Sequence, residues 1–402
     1  MNPDLDLLKP YPFERLRQLF AGADKPAGQP VNLGMGEPQH AAPAFVLEAL
    51  AEALPQLRSY PATRGLPELR QAVASWLQRR FGLEAVDPEA QVLPVTGTRE
   101  ALFSIAQAVV DRSRDPLVIS PNPFYQIYEG AALLAGAQLE LLDCEPQRGY
   151  LPDYAAVDND TWQRCQLLYL CNPGNPSGAV TPLDTLVQVV ELAQEHDFVI
   201  AADECYSEIY RDEARPPPGL LQAAQAAGVT DYRNCLVFHS LSKRSNLPGL
   251  RSGFVAGDAG LLQRYLAYRT YHGCAMPVHH QIASAAAWSD EAHVRENRGL
   301  YNSKFEQVLA RLAGTLPLQM PEAGFYLWPD LGVDDEAMAL ELYRRYNLTT
   351  LPGQYLGRDS GNGNPGFGHL RIALVPPVED CLYAADCLSE VIVSLGRSGA
   401  HG

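Results

Sequence analysis

Ser240-Leu241-Ser242-Lys243-Arg244-Ser245-Asn246-Leu247-Pro248-Gly249-Leu250-Arg251 places a lysine, three serines and two arginines within twelve residues. It lies between two apolar runs, Leu236-Val237-Phe238 and Gly253-Phe254-Val255-Ala256-Gly257, so Lys243 is expected in a loop between two strands. A lysine partly desolvated at a strand end has a lowered pKa, which suits Schiff-base chemistry. Ser240 and Arg251 would bind a phosphate beside it, the arginine through paired donors. Taken alone, the stretch reads more readily as a solvated lysine in a polar loop.

Working outward, apolar runs alternate with helical patterns. Val92–Val95 is strand-like and leads through Thr96-Gly97-Thr98-Arg99-Glu100 into a helical run ending at Val110. Such a turn is either an anion site at a helix N-terminus or ordinary capping by Thr96 or Thr98. Further strands are expected at Leu117–Ser120, Leu139–Leu142, Leu167–Leu170 and Phe198–Ala202, with helices over 67–82 and 183–195. The run at 198 ends in Asp203-Glu204-Cys205-Tyr206, and ligands of open parallel sheets lie outside the carboxyl ends of strands. Val31-Asn32-Leu33-Gly34-Met35-Gly36 is a strand into a glycine loop, where backbone can approach a ligand or simply turn. Past about residue 285 the order becomes a long helix (stretches 282–288 and 294–312), Gly324–Trp328, a helix near 335–346, a glycine-rich loop, the strand Leu370–Leu374 and a helix over 378–395. Pro216-Pro217-Pro218 reads as a surface loop. The expected fold is α/β: a large domain (43–285) with a mostly parallel seven-stranded sheet flanked by helices. A smaller α+β domain (286–402) is completed by an N-terminal arm (1–42).

Composition bounds the function. A chain of 402 residues, 47% hydrophobic, buries a large core, and a net charge of −16 argues against nucleic acid or an anionic membrane as partner. No apolar run reaches the ~18 residues of a membrane span, and the start, Met1-Asn2-Pro3-Asp4-Leu5-Asp6, lacks a signal pattern. The 8 cysteines show no CxxC or zinc spacing, and the pair Cys381 and Cys387 is not at metal spacing, so no metal is expected and free thiols in the cytoplasm are the economical reading.

A pyridoxal 5′-phosphate site needs a lysine, an acid facing the pyridine nitrogen, a phosphate cup, an aromatic ring over the cofactor and an arginine for a carboxylate. The chain offers Lys243, Asp203, the Gly97-Thr98-Arg99 turn with Ser240, Ser242 and Arg251, Tyr125 and Arg371. Order and spacing resemble the fold-type I pyridoxal-phosphate aminotransferases of the aspartate aminotransferase class, over essentially the whole chain. Asn172-Pro173-Gly174-Asn175-Pro176-Ser177-Gly178 is similar to that family's NP(x)NPTG loop. The resemblance implies catalytic roles for Lys243, Asp203 and Tyr125, with Asn175 and Tyr206 at the cofactor's 3′-oxygen. It further implies substrate contacts from Gly36, Asn175 and Arg371. Tyr60 matches the tyrosine that reaches the neighbouring subunit's cofactor phosphate, which implies a homodimer with shared sites.

Within the family, Pro10-Tyr11-Pro12-Phe13-Glu14, Tyr60–Gly65, Tyr268–Pro277 and Leu351–Leu356 look most like bacterial N-succinyldiaminopimelate aminotransferases. The resemblance implies transfer between N-succinyl-2-amino-6-oxopimelate and glutamate in lysine synthesis. A succinyl carboxylate asks for a second cation, and Arg64, Arg244 and Arg269 are candidates, each more readily a surface or structural ion pair. Cys205 and His239 read as packed residues. The rivals are another amino-acid aminotransferase (aspartate or acetylornithine type), a carbon–sulfur β-lyase on the same lysine, and a non-catalytic binding role.

Overall fold

The computed structural model describes residues 1–24, 26 and 28–399. A short 3₁₀ helix, Pro3–Leu7, is followed by an α-helix, Pro12–Phe20, and a two-residue strand, β1 (Val31–Asn32). Seven strands then build one sheet: β2 (Val92–Val95), β3 (Leu117–Asn122), β4 (Gln138–Asp143), β5 (Cys165–Cys171), β6 (Val199–Asp203), β7 (Cys235–Ser240) and β8 (Gly253–Gly257). Their order is β2-β8-β7-β6-β5-β3-β4, all parallel except β8, which runs against both its neighbours.

The central strands are buried on both faces, which is why they read as unbroken apolar runs. Their side chains alternate between two cores. Leu168, Ile200, Val237 and Phe254 face one core, shared with Val73, Trp76 and Leu77 of the helix Pro67–Phe81. Leu167, Ala201, Leu236 and Val255 face the other, with Leu102 and Ile105 of the helix Thr98–Val109. Pro94 lies on β2, an edge strand, where a residue without an N–H is tolerated.

Register brings the functional ends together. Cys171 pairs with Asp203, Asp203 with Phe238, Ser240 with Gly253, and Gly253 with Val95. The carboxyl ends of β5, β6, β7 and β2 therefore form one row.

The last strands are β9 (Tyr326–Leu327), β10 (Leu348–Thr349), β11 (Leu351–Pro352) and β12 (Leu370–Ala373). β11, β12 and β9 form an antiparallel sheet, while β10 pairs in parallel with β1. A further core joins Val31 and Leu33 to Tyr301, Phe305, Leu342, Ile372 and Leu388. The helix Pro12–Phe20 packs through Leu16 against Trp328, Leu351, Tyr355 and Leu356.

Three local expectations change. Lys243 is in a helical turn, Leu241–Arg244, because Ser240 caps it by accepting from the Ser242 N–H at 3.1 Å. The long helix is two, Val278–Ser289 and Ala292–Leu312, parted at Asp290-Glu291. Pro217 is buried, and the carbonyls of Pro217 and Pro218 accept from Arg80 and Asn172. No described helix is long and apolar enough to cross a membrane.

Candidate active site

A cleft of about 640 Å³ opens over the row of strand ends, closed on its far side by residues of the first 40 and the last 80 positions. Asp203, at the end of β6, is buried in its floor. Its Oδ2 accepts from the Tyr128 hydroxyl at 2.7 Å and its Oδ1 from the Cys205 N–H at 3.3 Å. No ion pair among the described residues includes it, and burial raises its carboxyl above the ordinary range. A carboxylate held this way is the complement of a protonated ring nitrogen.

Lys243 reaches in from its helical turn, and its Nζ donates to the Gly36 carbonyl at 2.5 Å. Burial, with Arg371 adding, lowers its ammonium to about 8 against the opposing pull of Cys205, Glu37 and Asp203. It is partly the neutral amine near physiological pH, with no carboxylate bonded to it among the described residues.

One end of the cleft is built for an anion. Gly97 turns with φ 92° into the helix Thr98–Val109, whose first N–H groups have no helical partner. A Cβ on Gly97 would overlap the Arg251 guanidinium, so only glycine admits that arginine. Thr98, Ser240 and Ser242 line the same cleft. The Arg99 side chain departs from the expected cup: its Nε donates to the Tyr125 hydroxyl at 2.6 Å and its Nη2 to the Tyr11 hydroxyl at 3.0 Å. Two phenol oxygens draw it across the mouth, leaving its backbone N–H at the helix start.

The other end is built for a carboxylate. Arg371, on β12, donates to the Asn175 Oδ1 at 3.3 Å and the Gly34 carbonyl at 2.9 Å, over the Tyr326 ring. Its Nε is buried without a partner, and no ion pair among the described residues includes it. A buried guanidinium that lines the cleft with no carboxylate paired to it among the described residues is suited to receive an anion. Tyr206 meets Tyr326 hydroxyl to hydroxyl at 3.0 Å, and a Cβ on Gly36 would overlap that Tyr326 hydroxyl.

The cleft thus gathers the residues expected from sequence, with Gly97 directly behind Arg251 and Tyr60 excepted. They bring together the buried acid, lysine, ring and two anion ends that pyridoxal phosphate and an amino acid require. Tyr60 itself is 101% exposed and lies outside the cleft. Arg64 donates to the Glu89 carbonyl on a separate surface. Arg244 is buried against Glu291 and Arg269 against Glu100, so neither faces the cleft. Packing explains both, since each guanidinium also satisfies buried carbonyls, of Ala287 and Cys274. His239 is buried among Trp76, Phe81 and Phe254, with Glu204 at 3.0 Å. Cys205, in contrast, lines the cleft with its Sγ 3.1 Å from the Thr98 hydroxyl.

Sequence reasoning missed Tyr128 and Tyr326. Tyr128 carries a signal, being one helical turn beyond Tyr125. Tyr326 carries none beyond its place in an apolar run.

Residues 29–388 match the family model for aminotransferase class I and II. An LL-diaminopimelate aminotransferase of Nitratidesulfovibrio vulgaris (strain DP4) is 32% identical over 370 residues, 89% of this chain and 92% of the relative. Among solved structures, an aminotransferase from Neisseria meningitidis Z2491 superposes with a TM-score of 0.92 at 48% identity, covering 98% of this chain and 100% of that one. A probable N-succinyldiaminopimelate aminotransferase from Thermus thermophilus gives 0.82 at 28%, covering 94% and 98%. With the fold, the cleft and the family in agreement, the chain belongs to the class I and II aminotransferases and is a pyridoxal-phosphate-dependent enzyme.

Proposed function

We propose that this aminotransferase acts on N-succinyl-LL-2,6-diaminopimelate, with 2-oxoglutarate as the acceptor, in lysine biosynthesis. The observation that carries the reading is the shape of the cleft. One end holds Arg371 with no ion-pair partner among the described residues, and Tyr11, Phe13, Met35, Leu351 and Leu356 give the same cleft an apolar and aromatic wall. About 640 Å³ holds a cofactor and a long substrate together. The LL-diaminopimelate relatives and the Thermus neighbour support the same diaminopimelate skeleton. Within one chain Arg64, Arg244 and Arg269 do not reach the cleft, so the succinyl carboxylate would meet Arg99 or a residue of a second subunit. We propose a homodimer in which the exposed Tyr60 serves the partner's phosphate end, and the division 1–42, 43–285 and 286–402 into arm, large and small domain.

Pyridoxal phosphate, when bound, supplies an electron sink for charge left on the substrate's α-carbon. The chain's own residues do the rest. Gly97, Thr98, Ser240, Ser242 and Arg251 would hold the phosphate, and Tyr125 would supply an aromatic contact to the ring. Asp203 would stabilise positive charge at the ring nitrogen, while Asn175 and Tyr206 would be the donors to the 3′-oxygen. Arg371 binds the α-carboxylate, with the Gly36 backbone beside it, and so orients the bond to be broken. Lys243 Nζ, once neutral, takes the proton from that carbon.

The test compares kcat/KM for N-succinyl-LL-diaminopimelate, unsubstituted LL-diaminopimelate, acetylornithine and aspartate, all with 2-oxoglutarate. The succinylated substrate is expected to lead by ~10-fold or more, the discrimination one buried ion pair supplies. Equal or better turnover of unsubstituted LL-diaminopimelate overturns the succinyl reading. Pyruvate released from cystathionine without an acceptor would instead indicate a β-lyase.

A further inference from the structure

Behind the cleft, three polar side chains that touch no reacting atom are joined in a line. Lys304, on the helix Ala292–Leu312, is 4% exposed and belongs to none of the ion pairs among the described residues. Its Nζ donates to the Pro376 carbonyl at 2.6 Å and the Val375 carbonyl at 3.4 Å, and faces the His40 Nε2 at 3.1 Å. An ammonium has three donors and no acceptor, so these three acceptors account for it. The His40 Nε2 is therefore bare and the imidazole proton is on Nδ1, which donates to the Asn297 Oδ1 at 2.9 Å. Asn297 accepts there from Asn246 as well, and its Nδ2 donates to the Lys243 carbonyl at 3.4 Å. Every bond in the line has one allowed direction, running from Lys304 to Lys243.

The line meets the three segments that form the amino-acid end of the cleft. His40 is four residues beyond Gly36, whose carbonyl accepts from Lys243 Nζ. Val375 and Pro376 continue β12, which carries Arg371. Lys243 is itself the third segment. We propose that His40, Asn297 and Lys304 are positioning residues that hold Gly36, Lys243 and Arg371 at the spacing a substrate α-carboxylate requires. The proposal rests on the reading of Arg371 as carboxylate receptor. It explains why a buried ammonium, costly to desolvate, stands where a methionine would fill the same space.

The test uses the holoenzyme with Lys304→Met and His40→Phe, which keep bulk and remove the polar line. Calorimetry at pH 8 measures binding of maleate, a non-reacting dicarboxylate, and kinetics with glutamate separate KM from kcat. Both variants are expected to bind maleate ~10-fold more weakly and raise KM alike, with kcat within ~3-fold, the signature of lost ground-state positioning. Affinity of the cofactor-free protein for pyridoxal phosphate stays within ~2-fold, because the phosphate end is built separately. Maleate affinity within ~2-fold of the parent, whatever the melting temperature does, overturns the proposal. So does a parallel loss of pyridoxal phosphate affinity, which would mean general loosening. A parent enzyme with no affinity for maleate overturns the receptor reading of Arg371 itself, and this proposal with it.

Discussion

Lys243 and Asp203 are shifted in opposite senses by the same burial, and each shift has a measurable consequence. Burial lowers the Lys243 ammonium to about 8, so the nucleophilic amine grows as pH rises through that value. The rate at which cofactor-free protein captures pyridoxal phosphate is expected to rise ~10-fold from pH 7 to pH 9 and level off, followed by absorbance. A rate flat across that range would mean that Lys243 is not the capturing amine. Asp203 is raised by burial, so between its unfolded and folded values the folded chain binds more protons than the unfolded one. Without cofactor its ionisation therefore costs stability as pH rises through that window, and at pH 7 the cost is present. Asp203→Asn should melt no lower than the parent when cofactor-free, yet lose turnover by ~100-fold or more. A cofactor-free variant that melts well below the parent would contradict the assignment.

At the scale of elements, the site depends on close approaches that only glycine permits. Gly97 combines φ 92° with the Arg251 guanidinium against its Cα, at the start of the helix Thr98–Val109. Gly97→Ala is expected to push Arg251 aside and weaken pyridoxal phosphate binding ~10-fold or more, measured by equilibrium dialysis, while free pyridoxal binds as before. Equal losses for both ligands would mean a collapsed strand end instead of a damaged phosphate site. Gly36 has a different reason: its φ is ordinary, but the Tyr326 hydroxyl occupies the space of a Cβ. The pairing of β1 with β10 and the bond from the Ala373 N–H to the Leu33 carbonyl explain how that loop reaches the far side of the cleft.

At the scale of the whole molecule, the proposed dimer makes a prediction that no single chain can satisfy. If Tyr60 serves the partner's cofactor, Tyr60→Ala and Lys243→Ala homodimers are each impaired. Their mixed dimer regains one intact site, so mixing and subunit exchange should restore activity toward about a quarter of parent when mixed equally. No recovery, with exchange verified by sedimentation of differently sized subunits, would place Tyr60 outside the shared site.

The alternation of apolar runs and helices, and hence the sheet, is legible in the order of residues alone. The same order also supplied the strand-end residues Asp203, Lys243 and Gly97, which adjoin local patterns with a physical meaning, while Asn175 came from the resemblance of its loop to the family's. Period and turn chemistry are local, so they can be read one segment at a time. Which cations face the cleft is settled by the folded chain instead. Arg99, Arg244 and Arg269 differ little in sequence, yet two are buried in ion pairs and one bridges Tyr11 and Tyr125. The same holds for Tyr128, Tyr326 and the line from Lys304 to Lys243. These contacts join residues up to hundreds of positions apart, and nothing in a local window records which distant side chain will satisfy a buried polar group.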